Sequence, residues 1–348
     1  MTVRWALLGP GRHAGRSVVP QMKQAADTEL AAIVSRDPAR GAAFAQTHGV
    51  RKVYAALDEV LGDPDIDAIY DATPDGLHVP HAIAAAEAGK HALVEKPLAL
   101  SVADAAKAIA ASKRHGTQLG VVFNQRHETA HQEARRMVQG GAIGEVKLVH
   151  VQIALRTAIS RGGPSAPVTW RTDPDFRAGG IVVSIGDHAY DTLAYLVGQE
   201  IEVVSALTDA TQSEPPNERV AGMLLKLSGG AIGYAVASFV TPFARRPFEI
   251  HGTTGTIVIE NSYTYLTGAG DDPTPTLTLV NESGNTARRF PATESFRLEI
   301  EQFNRAIAGQ GEPMTPPEQG LRALATGEAI YAAVKSGRMT RVGDFLPK

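Results

Sequence analysis

Residues 3–14 read Val3-Arg4-Trp5-Ala6-Leu7-Leu8-Gly9-Pro10-Gly11-Arg12-His13-Ala14. A short apolar run ends in a glycine turn, and a stretch able to start a helix follows it. In such a strand-turn-helix unit the first glycine permits the tight turn and the second lets the backbone approach a pyrophosphate. Ala14 is small enough for the helix to pack closely on the sheet. The unpaired N–H groups at the helix start then point at the phosphates. Gly9, Pro10, Gly11, Arg12, His13 and Ala14 are therefore expected to form a dinucleotide-binding loop.

Working outward, further apolar runs at 30–34, 68–72, 92–94 and 119–123 alternate with helix-period stretches, the pattern of parallel strands joined by crossover helices. Asp37-Pro38 opens one helix as cap and first-turn proline, Ser101 and Asp104 form a capping box, and Gly89 and Gly116 stop the helices that begin at His78 and Ser101. Residues 1–123 are thus predicted to form a Rossmann-type doubly wound parallel sheet. The rhythm then changes. A helix over 128–139, a strand over 146–155, a loop over 156–178 and a helix over 181–197 are followed by strands at 203–207, 222–227, 231–239, 248–251, 256–259 and 277–280. No helix separates these strands. Residues 124–348 are predicted to form an α+β domain with a large, mostly antiparallel open sheet. Its free face offers a route to a homodimer or homotetramer. Final helices at 296–308 and 318–335 are placed to pack back toward the first domain. The loop 156–178 is too long for a simple connector and is a candidate substrate loop.

A chain of 348 residues suits two domains. Hydrophobic residues at 43% and charged residues at 20% are ordinary globular usage, and a formal charge of -3 provides no basic field for nucleic acid or anionic lipid. The absence of cysteine excludes disulfides, thiolate catalysis and thiolate metal sites. The first residues do not read as a secretion leader, and no apolar run approaches the ~20 residues of a membrane helix. A cytoplasmic protein without a metal is expected, with a small molecule as its partner.

The end of the second strand bears on the cofactor. An acid there would bond a ribose 2'-OH, whereas the sequence reads Ser35-Arg36-Asp37 with Arg40 nearby. A hydroxyl and two guanidiniums suit a 2'-phosphate, so NADP(H) is favoured over NAD(H). The competing reading makes Arg36 and Arg40 solvated residues and Asp37 only a cap.

Several motifs together resemble the Gfo/Idh/MocA oxidoreductases. They are Thr73-Pro74-Asp75-Gly76-Leu77-His78, Ala88-Gly89-Lys90-His91, Glu95-Lys96-Pro97, Asn124 with Arg126, and Gly141-Ala142-Ile143-Gly144-Glu145-Val146. Trp170-Arg171, Gly179-Gly180 leading to His188, and Phe248-Glu249-Ile250-His251-Gly252-Thr253-Thr254-Gly255 extend the likeness over nearly the whole chain. The resemblance implies hydride transfer between a nicotinamide and a hydroxyl- or carbonyl-bearing carbon of a sugar or polyol. It implies that Lys96 and His188 are catalytic, that Thr73, Pro74, Asp75, His78, Glu95, Lys96 and Asn124 border the cofactor, and that Glu95, Trp170, Arg171, Ser184 and Asp187 border the substrate. Oxidising an alcohol needs a titratable group within hydrogen-bond reach of its oxygen, and both a strand-end lysine and an imidazole qualify.

Two departures matter. Members of the resembled family usually carry an aspartate four residues before this histidine, one helical turn away, where this chain has Ser184. Asp187 is expected about 100° around the helix from His188, and Asp191 is expected to be structural. Asp71 interrupts a buried apolar strand and needs a partner. Besides an active oxidoreductase, two alternatives remain open at this point: a non-catalytic NADP(H)-binding sensor, and a redox-neutral sugar hydrolase or lyase that oxidises transiently.

Overall fold

The computed structural model describes residues 1–154, 173, 175–209, 216–241, 247–263 and 274–347. Strands β1 (Val3–Leu8), β2 (Thr28–Val34), β3 (Lys52–Tyr54), β4 (Ala68–Asp71), β5 (His91–Glu95) and β6 (Leu119–Val122) form a parallel sheet in the order β3-β2-β1-β4-β5-β6. Successive side chains of a strand point to opposite faces. Trp5 and Leu7 of β1 accordingly enter one apolar core and Ala6 and Leu8 another. Burial on both faces is why these strands read as continuous apolar runs. Helices α1 (Val19–Met22), α2 (Pro38–His48), α3 (Leu57–Leu61), α4 (His78–Glu87) and α5 (Val102–His115) supply the crossovers, α1 being preceded by a π-turn over Ala14–Val18. The Asp37 carboxylate accepts from Arg40 N–H, the Ser101 hydroxyl accepts from Asp104 N–H, and Gly116 closes α5 in the left-handed region.

The second half runs α6 (Thr129–Gln139), β7 (Val146–Ala154), α7 (Ile181–Ser184), α8 (Gly186–Val197), β8 (Ile201–Thr208), β9 (Val220–Leu227), β10 (Ile232–Ser238), β11 (Phe248–Gly252), β12 (Gly255–Glu260), β13 (Thr276–Asn281) and β14 (Gly284–Arg289). It closes with α9 (Ser295–Ile307), α10 (Pro317–Ser336) and β15 (Thr340–Arg341). The nine strands line up as β14-β13-β12-β11-β7-β10-β9-β8-β15. All neighbours are antiparallel except β7 and β10, because β7 inserts between β10 and β11 and interrupts the meander. On β9, Ala221, Met223, Leu225 and Leu227 are buried while Gly222, Leu224 and Lys226 are exposed. Helices α6 and α8 cover the buried face. The other face carries the partly exposed Leu148, Leu224, Ile232 and Tyr234.

Three strands escape the sequence pattern for physical reasons. β3 has three residues and β15 two, while β14 is exposed throughout and so shows no apolar alternation. The expected helix over 181–197 is two helices, since Ile185 (φ -129°, ψ -32°) breaks the turn between α7 and α8. Helix α9 buries Phe296, Ile300 and Phe303 in the core holding Trp5, whose ring centroid is 5.7 Å from that of Phe303. Helix α10 presses Gly320 against Val121 of β6, where a Cβ would come within 2.6 Å of a valine methyl. These helices fasten the second sheet to the carboxyl edge of the first, where ligands bind in doubly wound sheets.

Candidate active site

The glycine loop over 9–14 is set by close packing at the end of β1. Gly9 has φ +75° and a Cβ there would lie 2.7 Å from the Ala72 carbonyl, so only glycine lets β1 and β4 approach this closely. A Cβ at Gly11 would meet nothing nearer than 3.8 Å, while its N–H donates to the Gly9 carbonyl at 2.7 Å. Beside the loop a cleft of about 560 Å³ is lined by Pro10, Gly11, Arg12, Arg16 and Arg40, with Phe44 and His48 at its back. Ser35 is buried and its hydroxyl donates to the Asp37 carbonyl at 2.8 Å. Arg36 is exposed.

Polar ties fasten the rest of the carboxyl edge. Asp71 is fully buried, yet it has partners: it faces His81 Nδ1 at 2.9 Å and accepts from the Thr73 hydroxyl at 2.6 Å and Thr73 N–H at 3.0 Å. Burial opposes its ionisation, but His81, His78 and Thr73 hold the carboxyl below its usual range. His78 lies 2.7 Å from the Pro97 carbonyl and 2.9 Å from that of Thr73, linking the ends of β4 and β5. Asp75 accepts from Ala178 N–H at 3.2 Å, and a Cβ at Gly76 would collide with the Asp175 carbonyl at 2.2 Å, so the 73–78 turn seats against the approach to α7. Glu95 lies 2.9 Å from His13 Nε2 and accepts from the Tyr70 hydroxyl at 2.9 Å. Although burial works against it, His13, Tyr70 and Lys96 hold this carboxyl low. Asn124 donates to Ser295 at 2.8 Å, tying β6 to α9.

Lys96 leaves the end of β5 at a cis Lys96-Pro97 peptide, with its side chain 14% exposed. Its Nζ donates to the Ser184 carbonyl and sits 3.4 Å from Asp187 Oδ1. His188 is buried beside Phe123, ring centroids 6.0 Å apart, and burial with Lys96 and His13 nearby pushes its ring far down, so it is neutral. The break at Ile185 changes the expected register: Ser184 and His188 do not share a continuous helix, and the contact to Lys96 comes from the Ser184 backbone. Asp187, expected among substrate contacts, is buried against Lys96 with its side chain 4% exposed. Asp191 is structural, bonding Arg126 through both carboxylate oxygens at 2.9 and 2.5 Å. Trp170 and Arg171, with most of the 156–178 loop, lie outside the described residues.

Sequence reasoning missed the supports. His81 was findable, since it lies one turn from His78 on α4 and faces the same strand end. Tyr331 and Glu218 left no local signal. The Tyr331 hydroxyl accepts from Gly180 N–H at 3.1 Å and donates to Glu218 at 2.9 Å, and Glu218 accepts from Val182 N–H at 2.9 Å. Together they hold the Gly179-Gly180 turn that starts α7.

Residues 3–123 match the oxidoreductase family with an NAD-binding Rossmann fold, and residues 131–258 match the GFO/IDH/MocA C-terminal domain. The chain is 30% identical over 341 residues to 1,5-anhydro-D-fructose reductase of Ensifer adhaerens, covering 97% of this chain and 98% of the relative. It is also 30% identical over 335 residues to D-xylose 1-dehydrogenase (NADP(+)) 2 of Haloferax volcanii, covering 96% and 98%. Among solved structures, aldose-aldose oxidoreductase of Caulobacter crescentus, complexed with glycerol, superposes with a TM-score of 0.86 at 28% identity, covering 98% of this chain and all of that one. With a dinucleotide loop, a strand-end lysine and a buried histidine carried on this two-sheet frame, the chain belongs to the Gfo/Idh/MocA oxidoreductase family and is an NAD(P)-dependent dehydrogenase or reductase.

Proposed function

We propose that the protein is an NADP(H)-dependent oxidoreductase acting on a hydroxyl- or keto-bearing carbon of a sugar, sugar derivative or polyol, with Lys96 and His188 managing the proton on the reacting oxygen. The observation that carries this reading is the convergence of the Lys96 amine with the Ser184–His188 segment at the carboxyl edge of the first sheet. The nicotinamide supplies the hydride acceptor or donor when bound. Lys96 Nζ takes a proton from a substrate hydroxyl or returns one to a carbonyl oxygen. His188, neutral through burial, offers that oxygen a hydrogen bond without adding charge. The ties from Asp71 to His81, from Glu95 to His13 and from Asp75 to Ala178 hold the surrounding edge rigid. The names of the relatives support a sugar-type substrate.

Support for NADP(H) comes from the second strand and its neighbours. No acid stands at position 35, and the guanidiniums of Arg12, Arg16 and Arg40 border one cleft beside the loop. One relative is named for NADP(+). The apolar residues Leu148, Leu224, Ile232 and Tyr234 on the open sheet face support docking of a second copy of the chain.

Fluorescence titration with NADPH and NADH, followed by turnover assays on a panel of sugars and polyols, tests the reading. NADPH is expected to bind the tighter, and Ser35→Asp to move the preference toward NADH by placing an acid near the ribose. NADH binding equal to or tighter than NADPH rejects the cofactor assignment, and no turnover on any sugar or polyol with either cofactor rejects the substrate class.

A further inference from the structure

Position 184 holds a serine, yet Lys96 does not lack a carboxylate. The chain leaves α7 at Ser184, breaks at Ile185, and restarts at Gly186, where even a Cβ would come 3.1 Å from the Ile181 carbonyl. This step brings Asp187 into the first turn of α8 with Oδ1 3.4 Å from Lys96 Nζ. The same oxygen accepts from His188 N–H at 2.8 Å, which fixes the carboxylate direction. The other oxygen, Oδ2, is buried and has no hydrogen-bond partner among the described residues. A cavity of about 10 Å³ behind the pair is walled by Pro97, Leu98, Phe123, Val183 and Tyr190, leaving room for one water at most.

We propose that Asp187 is the positioning residue for Lys96, a carboxyl that reaches the amine from within the protein and balances the charge the amine gains and loses in each turnover. The proposal rests on the reading that Lys96 exchanges the substrate proton. In the oxidising direction the substrate O–H bond breaks and an N–H bond forms at Lys96 Nζ. The electron pair left on oxygen goes into the C=O bond as carbon gives up hydride. The new ammonium lies beside Asp187, whose charge offsets it in a site too dry for solvent to do so. In the reducing direction the proton returns from Nζ to oxygen and the pair reverts. Burial pushes the Asp187 carboxyl up to about 7 while the nearby Lys96 opposes the rise. Among the described residues, the other titratable groups whose charge bears on Asp187 are Asp191 and Tyr190 from its own helix and Tyr263 after β12, and none of these is a cation.

Any ion pair shifts its amine, so the test reads the amine together with turnover and its pH profile, which a merely structural pair would leave unchanged. Lys96 acetylation by a small active ester is followed by peptide mass spectrometry across pH in the full-length protein, Asp187→Asn, and Ser184→Asp with Asp187→Asn. Without its carboxylate partner the ammonium is less favoured, so Asp187→Asn should label at lower pH, with the labelling midpoint moved by about one unit or more. The acid limb of kcat for alcohol oxidation should move the same way, with kcat down by about tenfold or more and substrate KM little changed. The double variant, with its carboxylate three residues earlier on the residue whose carbonyl already receives the Lys96 amine, should recover part of both. Unchanged labelling and an unchanged pH profile in Asp187→Asn would overturn the proposal while leaving Lys96 in its role. Near-native turnover in Lys96→Ala would overturn the underlying reading instead. If Asp187→Asn does not fold, Asp187→Ala gives the same comparison without a new polar atom.

Discussion

The loop at 9–14 and the segment at 179–188 both start helices at the carboxyl edge of the first sheet, and they are built by opposite means. The loop is shaped first by its own backbone: Gly9 sits at φ +75°, a conformation side chains rarely adopt, and the Ala72 carbonyl after β4 only adds to the exclusion. The segment is shaped from a distance. Its turn is held by Tyr331 of α10 and by Glu218, which lies just before β9, and its register is set by the break at Ile185. A motif that is closed by local sterics can be read from residue types alone, whereas a turn held by residues up to 151 positions away cannot.

The sharpest contrast between the two regions is functional. Lys96→Ala and His188→Ala should each lower turnover by a factor on the order of 100 or more with NADPH affinity nearly unchanged. A variant that keeps its turnover on the true substrate removes that residue from the chemistry, and lost cofactor binding would place it on the loop side of the comparison.

Next comes stability. Gly9→Ala forces a strained backbone and a contact with Ala72, so denaturant unfolding should show a loss of about 1–3 kcal/mol together with weakened NADPH binding. Tyr331→Phe removes two hydrogen bonds from the Gly179-Gly180 turn and should cost about 1–2 kcal/mol. It should also reduce turnover while leaving cofactor affinity intact. Equal loss of cofactor binding in both variants would erase the distinction between a local and a distant device.

A pH series probes the segment alone. Asp187 is raised by burial from its ordinary 3.8 to about 7 in the folded protein, so its contribution to stability is complete below about 4 and is lost as pH rises through 7. Unfolding free energies measured between pH 5 and pH 8 should therefore fall less steeply in Asp187→Asn than in the parent. Parallel slopes would mean that the carboxyl is ionised throughout. The smallest effect is expected away from both regions. Leu224→Glu on the open sheet face should change stability by no more than about 0.5 kcal/mol. It should still convert an assembly of copies to monomers in sedimentation, and an unchanged mass would show that this face is not the contact.

The parallel first sheet, the antiparallel second sheet, the glycine loop and the positions of Lys96 and His188 in chain order were legible because each follows from periodicity, turn chemistry or motif. One element was misjudged and one could not be read at all. The helix expected over 181–197 does carry a break signal in Ser184 and Gly186, but a lone glycine is often tolerated inside a helix, so the pattern reads as continuous. The central place of β7 was invisible because strand order depends on pairing between distant segments and not on any one of them.

By itself the sequence determined the kind of enzyme, where its glycine loop lies, which candidate groups stand at the strand and helix ends, and that residue 184 is a serine. Only the tertiary structure decided what those groups touch. It gave Asp71 its partner in His81 and turned the Ser35 hydroxyl to the Asp37 carbonyl. It also brought the Ser184 carbonyl and Asp187 to the Lys96 amine. The physical reason is one of range. Backbone geometry and side-chain period act over a few residues, while the partner of a buried charge is chosen by whichever distant segment the packing brings within hydrogen-bond reach.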